Sequence, residues 1–435
     1  MSKVKFLIIG AGSRGVSYSR CILESSSKAE VVAVAEPDPI RRDTIVKQHN
    51  IADENIFDDW RELTGKGKIA DAVVIATQDN QHYEPAMYFI KQGYHVLLEK
   101  PMSPDSSQCR EIVQAANESG KLFSVCHVLR YTQYTKKLKQ LLDSGVIGDI
   151  ICIQHLEPVG YFHQAHSYIR GHWRNEDESS SMLLAKSCHD LDWLRYIIDS
   201  PCSSISSFGN LKYFKKENQP EGAAHRCLDC PVEPQCPYSA KKIYIGRAEK
   251  GDFDWPVRTI TKDLTVKGVT QALKEGPYGR CVFDCDNTVV DHQVVNMLFE
   301  NGSTVSFTMT GFTIDAGPRK TRIFGTKGEI YGNESHIEIY DFLTGSRDVY
   351  EGNSADGTII GGHGGGDMGL VSSFIAAIET DNPDEIITGP AETLESHFMV
   401  FDAERARKEN KVINRAGRLS PPAQKNKAVL DEVFV

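Results

Sequence analysis

The 435-residue chain has no apolar run approaching the length of a bilayer and no cluster of lysine and arginine. The first lack excludes a helical membrane protein. The second, with 49 basic against 59 acidic residues and a net charge of −10, argues against nucleic acid or an anionic membrane as a main partner. No charged-then-apolar leader stands ahead of the first strand pattern at Val4, so the expected location is the cytoplasm. No internal repeat is evident. Cysteine lacks the even, regular spacing of a disulfide framework. There are 11 in all, and Cys21, Cys109, Cys126, Cys152, Cys188 and Cys202 stand singly, which in a reducing compartment makes them small buried hydrophobes. The length suits two or three domains, and 40% hydrophobic with 25% charged residues is ordinary for a globular chain.

The organising stretch is the apolar run Val4–Ile9 followed by Gly10-Ala11-Gly12-Ser13-Arg14-Gly15 and then by a helical pattern. A buried parallel strand needs the run, and a dinucleotide pyrophosphate needs the turn: Gly10 for tightness, Gly12 for close backbone approach, Gly15 for helix–strand packing. The helix N-terminus, from Ser13 and Arg14, offers free N–H groups to phosphate. A second strand pattern, Glu30 to Ala35, ends at Glu36, roughly 20 residues on, where a carboxylate accepts from ribose hydroxyls and repels a 2′-phosphate. The cofactor expected is NAD in preference to NADP, although Arg41 and Arg42 follow closely.

Strand and helix patterns then alternate: strand 71–77, a helix closing on Gly93, strand 94–98 running into Glu99-Lys100-Pro101, helix 104–119 and strand 121–127. Alternation of this kind makes a doubly wound parallel sheet with right-handed crossovers. Chemistry in such sheets lies beyond the carboxyl ends of strands. Thr77, Asn80, His82, Glu99, Lys100 and residues 127–131 all fall there; the first five are expected to contact the cofactor, with Asn80 and His82 lining the nicotinamide ribose. Residues 1–130 are thus expected to form a Rossmann domain, and 131–417 a second α/β domain with an open, mainly antiparallel sheet, followed by a polar tail at 418–435.

At Glu99-Lys100-Pro101 the chain resembles the glucose–fructose oxidoreductase and inositol dehydrogenase family, Gfo/Idh/MocA. The resemblance is carried by GAGSRG, AEPDP, ATQDNQHYEPAMYFIKQGYHVLLEKPM, LRYTQYTKKLKQLLDSGVIGDI, HWRN, CHDLDWLRYI and FGTKGEI, from the start to about residue 332. It implies that Lys100 and His189 are catalytic and that the substrate is a sugar or polyol whose secondary alcohol exchanges hydride with NAD. A few members of that family use the hydride shuttle to cleave glycosides, so a glycosidase or lyase is the alternative, and a non-catalytic dinucleotide sensor a more distant one. The resemblance also implies a homo-oligomer, dimer or tetramer, formed through the second sheet.

Here the sequence departs from the pattern. The position four before His189, an Asp in the family, is Ala185, and Lys186 follows. Lys186 places a second amine near Lys100 or binds an anionic substrate. Asp192, three residues beyond His189 on the same helical face, is expected to hold its orientation. Arg130, Tyr131 and Trp173, the last in the aromatic stretch 161–181, are expected to position substrate with Lys186 and Asp192. Between 218 and 285 the composition changes to proline with Cys227, Cys230 and Cys236, and Cys281 or Cys285 as a fourth thiolate. The spacing suits a structural zinc site, with His225 another ligand and an iron–sulfur cluster or disulfides as rivals. Asp291 and His292 lie on opposite faces of a strand, so that one of them points at substrate or bonds a neighbour. Residues 361–367, glycine-rich, read as a lid or hinge.

Overall fold

The computed structural model describes residues 3–351 and 363–415; the expected tail at 418–435 and the first two residues of the glycine-rich 361–367 lie outside them. Two sheets organise the chain. The first is built from β1 (Val4–Ile9), β2 (Ala29–Ala35), β3 (Ile56–Phe57), β4 (Ala72–Ile75), β5 (His95–Leu98) and β6 (Phe123–Val125), all parallel, in the order β3-β2-β1-β4-β5-β6. Helices α1 (Ser13–Glu24), α2 (Pro39–His49), α3 (Tyr83–Lys91) and α4 (Ser106–Ser119) are the crossovers. Because β1 and β4 are buried on both faces, their residues are almost continuously apolar. The order reverses between β1 and β4, and the crevice at that switch point is where a ligand sits.

The chain leaves this sheet through α5 (Gln133–Asp143) and enters the second at β7 (Ile150–Pro158). After α6 (Met182–Ile198) come β8 (Cys202–Asn210), the cysteine-bearing segment with its helix α7 (Val266–Glu275), and strands β9 (His292–Phe299), β10 (Thr304–Thr310), β11 (Lys320–Gly325), β12 (Gly328–Gly332), β13 (His336–Asp341) and β14 (Arg347–Glu351). With β15 (Ile413–Asn414) they form a nine-stranded sheet, β14-β13-β12-β11-β7-β10-β9-β8-β15, antiparallel except for β7 beside β10. One face packs α6 through Leu183, Leu191 and Leu194; buried and exposed residues alternate along β9 and β10, as a one-sided sheet requires.

The last helices tie the two layers together. In α8 (Gly366–Thr380), Leu370, Phe374 and Ile375 pack into the core of the first sheet with Phe6 and Tyr18. Thr388 follows, accepting from the Val125 amide and hydrogen-bonding Ser124. In α9 (Pro390–Glu409), Val400 and Ala403 join the second core, while Leu394 packs on the first. Residues 366–388 therefore rejoin the N-terminal sheet, although the expected division assigned everything after 130 to the second domain. Among the described residues no helix is long and apolar enough to cross a membrane.

The cysteine-bearing segment carries its own apolar core, in which Cys227 and Cys281 pack with Phe214, Tyr244, Val269, Leu273 and Phe283. The structure does not bring the expected zinc ligands together: among the described residues no three His, Cys, Asp or Glu side chains are grouped to hold a metal ion. The physical reason is that protein groups engage the thiols. The buried Arg170 guanidinium donates to Cys227 Sγ at 3.4 Å, Gln219 donates to Cys281 Sγ at 3.6 Å, and Cys285 Sγ donates to the Cys281 carbonyl at 3.1 Å. Cys230 and Cys236 are half-buried free thiols, and His225 turns to Asp284 instead (2.7 Å). A segment with a core of its own does not need metal binding as its source of folding energy.

Candidate active site

The glycine turn comes first. Gly10 has φ +85°, and a Cβ there would meet the Ala76 carbonyl at 2.6 Å; at Gly15 a Cβ would meet the Gly10 oxygen at 1.9 Å. Only glycine fits either place. Gly12 differs: a Cβ on it would meet nothing within 4 Å, because it points into the cleft. Gly12 is also the N-cap of α1, and no side chain caps that end, so the first amides of the helix stay available to an anion. This open, uncapped cradle fits a pyrophosphate. Replacing Gly12 with valine is expected to leave the melting temperature unchanged and weaken cofactor binding at least about tenfold, read by nicotinamide titration.

Glu36 is buried at the end of β2, accepting from the Ala11 amide at 2.6 Å and the Asp38 amide at 3.0 Å. A carboxylate has about four lone-pair sites, so acceptor capacity remains for ribose hydroxyls. Ser13, Glu36, Thr77 and Asn80 line the same cleft. Arg14 turns inward from the turn: its guanidinium pairs with Glu99 at 2.6 Å and Asp367 at 2.7 Å and also donates to Tyr18. Glu99 is thereby consumed as an internal counter-ion; burial alone would raise its pKa, but Arg14 and then Lys100 hold the carboxyl below its usual range. His82 is buried, its ring nitrogens facing the carbonyls of Pro101 (2.7 Å) and Thr77 (3.3 Å). It ties together the two strand-end turns.

Lys100 is half-buried, and its Nζ donates to the Ala185 carbonyl at 2.7 Å. The amine of the first domain thus meets α6 of the second at the residue that replaces the family's carboxylate. One turn on, the buried His189 ring lies 5.6 Å from His127, edge to face, and His127 lies 5.4 Å from His397. Burial holds His127 down to about 3 and His397 to about 4, so both are neutral at pH 7. The unfolded chain would protonate them near 6.5. Their folded pKa values are depressed, so the stability they carry is complete above about pH 6.5 and is lost as pH falls toward 4. An unfolding free energy that declines between pH 7 and pH 5 is expected in denaturant titrations, by roughly 1–2 kcal/mol for each such histidine.

The other predicted residues divide. Lys186 lines the cleft and pairs with Glu157 at 3.0 Å; Glu157 also takes Arg319 at 3.0 Å, and Arg319 reaches Asp190 and Glu334 (2.9 Å). Asp190 accepts from His155 at 3.1 Å; Arg319, ahead of His155, outweighs the upward push of burial and holds this carboxyl well below the usual range. Trp173 also lines the cleft, its indole N–H on Asp79 at 3.1 Å. Neither Lys100 nor His189 is among its lining residues, and nor are Arg130 and Asp192. They form a buried bidentate pair at 2.7 and 2.8 Å, completed by Ser396 on Asp192 and Glu392 on Arg130. Asp192 gives both carboxylate oxygens to Arg130 and meets His127 at 3.8 Å. Tyr131 touches the cleft, but its hydroxyl is spent on Thr388 at 3.0 Å. Asp291 is fully buried, accepting from the amides of Lys212 and Tyr213 and holding His292 at 2.8 Å. Glu157 and Arg319 escaped the sequence reading; the available signal was a charged residue inside an otherwise alternating strand.

Comparison with known proteins agrees with this geometry. The model of the oxidoreductase family's NAD-binding Rossmann fold matches residues 4–127, and that of its C-terminal alpha/beta domain matches 139–387. The YteT protein of Bacillus subtilis (strain 168), an oxidoreductase by name, is 23% identical over 407 residues, spanning 87% of this chain and 90% of its own. The 2,7-anhydro-N-acetylneuraminate hydratase of Mediterraneibacter gnavus is 26% identical over 209 residues, 48% of this chain and 53% of its own length. Among solved structures, a levoglucosan dehydrogenase in complex with NADH and levoglucosan superimposes with TM-score 0.69 at 15% identity, over 95% of this chain and 99% of that one. With a parallel sheet, a glycine cradle at its switch point, a lysine after β5 bonded to α6 of the second domain, and both domain models matched, the chain belongs to the Gfo/Idh/MocA oxidoreductase family.

Proposed function

We propose that this chain transfers hydride between NAD and a secondary alcohol carbon of a sugar or polyol, with Lys100 and His189 handling the hydroxyl proton. The observation that carries the reading is the meeting of Lys100 with Ala185, one turn before His189 and next to Lys186 on the cleft wall. When bound, the nicotinamide supplies the hydride acceptor or donor. Lys100 keeps two N–H donors beyond the one given to Ala185, enough to hold the substrate oxygen. In this reading His189 takes the hydroxyl proton as general base. Glu36 favours NAD over NADP, since a 2′-phosphate would meet its carboxylate. Trp173 and Lys186 position the substrate. The outer face of the second sheet exposes Phe208 and Leu298, which supports a dimer or tetramer through it.

A second reading is favoured by one observation. Ala185 removes a carboxylate while Lys186 and Glu157 bring a paired amine and carboxylate to the cleft wall. Such a pair suits redox-neutral cleavage, in which transient oxidation acidifies a neighbouring C–H, a base removes its proton, the leaving group departs and the hydride returns. One incubation separates the two, with NAD, free sugars and chromogenic glycosides. Reduced nicotinamide formed in proportion to a free sugar is expected for the dehydrogenase. Aglycone release at catalytic NAD, with no net reduction, identifies the cleavage.

A further inference from the structure

The cleft encloses about 2430 Å³, more than twice the upper end of ordinary ligand pockets, about 300–1,000 Å³. A dinucleotide and a single sugar ring leave part of it to fill. The extra wall comes from the cysteine-bearing segment: Trp255, Arg258, Thr259 and Tyr278 line the same cleft as the glycine turn. That segment also ties to the first domain, where Lys262 pairs with Asp38 at 2.6 Å, at the start of α2.

The wall is aromatic and held in place. Trp255 is 36% exposed, an unusual degree for a tryptophan whose ring already meets His163 at 4.8 Å and His166 at 5.4 Å, both nearly perpendicular. Tyr278 stacks on His166 at 4.9 Å. His166 in turn is fixed by the Tyr244 hydroxyl at 2.8 Å and Thr259 at 3.2 Å. Burial lowers His166 to about 3 and His163 well below its usual value, with Lys186 a secondary cause at His163. These rings are therefore uncharged at neutral pH. His163 and Lys186 line the same cleft as this wall.

The geometry points to a second binding position in the cleft, built by Trp255 and Tyr278 on the His163–His166 platform, which takes the second ring of a glycoside. This rests on the oxidoreductase reading for the first ring and adds the substrate class: a glycoside of two or more rings, or an aryl glycoside, in preference to a free monosaccharide. Aromatic faces accept the apolar faces of sugar or aryl rings at little entropic cost. Arg258, Thr259 and Lys186 supply polar contacts at the edges.

The test is equilibrium binding to the NAD-loaded full chain of p-nitrophenyl glycosides and of the matching free sugars, by calorimetry. At least one glycoside is expected to bind about tenfold more tightly than its sugar. Trp255→Ala is expected to cut that glycoside-to-sugar ratio about tenfold, equivalent to about 1.4 kcal/mol, and Trp255→Phe to restore most of it. NAD affinity and melting temperature report whether each variant is folded; if Trp255→Ala fails to fold, Trp255→Phe against Tyr278→Ala gives the same comparison. A panel in which no glycoside outbinds its sugar, or a ratio unmoved by both alanine variants, overturns the proposal. Failure of the oxidoreductase reading shows separately, as absence of any nicotinamide reduction or NAD-dependent release, because the ratio is read without turnover.

Discussion

Replacing Lys100 with methionine is expected to lower kcat by about 10³-fold while leaving NAD affinity within a few-fold of the parent. Methionine keeps the length and much of the apolar stem of lysine but has no N–H donor, so the bond to the Ala185 carbonyl and the contact with substrate oxygen go together. A positioned acid–base group is worth about 10²–10⁴-fold. The cofactor cradle is made by Gly10, Gly12, the N-terminus of α1 and Glu36, none of which bonds to the Lys100 side chain, so its affinity is insulated. The competing account is that Lys100 pins the two domains by its bond to α6 and does nothing else. That account predicts a lowered melting temperature with kcat nearly intact, so steady-state kinetics and thermal denaturation of the one variant decide between them. The Lys100→Arg variant sharpens the comparison. It keeps the charge and a donor, but a planar guanidinium cannot serve as a proton carrier near neutral pH.

The parallel sheet, the glycine turn and the Lys100 strand end were legible because their signals are local. A buried apolar run, a turn only glycine can make and a helix after it are specified within a few dozen residues. The likeness to Gfo/Idh/MocA chains extended that reading to the second sheet. What sequence could not give was pairing across long separations. Arg130 and Asp192 carry residue types that suit a sugar site, yet 62 positions apart they satisfy each other. The cysteines had a ligand-like spacing, but Arg170, 57 residues before Cys227, reaches into their group. Helix α8 returns to the first sheet more than 350 residues after β1, guided by a Phe374–Phe6 contact at 6.3 Å that no local pattern announces. The insulated turn residues were readable; the network of Lys186, Glu157, Arg319 and Asp190 was not, because its members come from β7, α6 and the approach to β11.

The pair formed by Arg130 and Asp192 also gives the largest expected stability effect. Both side chains are about 1% exposed. Burial alone would raise the Asp192 pKa and lower that of Arg130; each partner's charge reverses this, so the carboxyl lies below its usual range and the guanidinium above. Asp192→Asn keeps the shape and one acceptor for Ser396 but removes the charge. Arg130 is left with Glu392, whose side chain is 57% exposed and so screened by water. Breaking a buried pair from one side costs about 3–5 kcal/mol, because the remaining ion stays desolvated; with Glu392 still present, about 3 kcal/mol is expected for Asp192→Asn. The double variant Arg130→Met with Asp192→Leu, which removes both ions, should recover much of that loss, since well-packed apolar replacements of buried pairs are often near neutral. Urea denaturation of the two variants and the parent measures both quantities. Were Asp192 instead a substrate ligand or the partner that orients His189, Asp192→Asn would keep its denaturation midpoint and change KM or kcat. A variant that is fully stable and kinetically impaired would return Asp192 to the active site and remove the structural role argued for the pair.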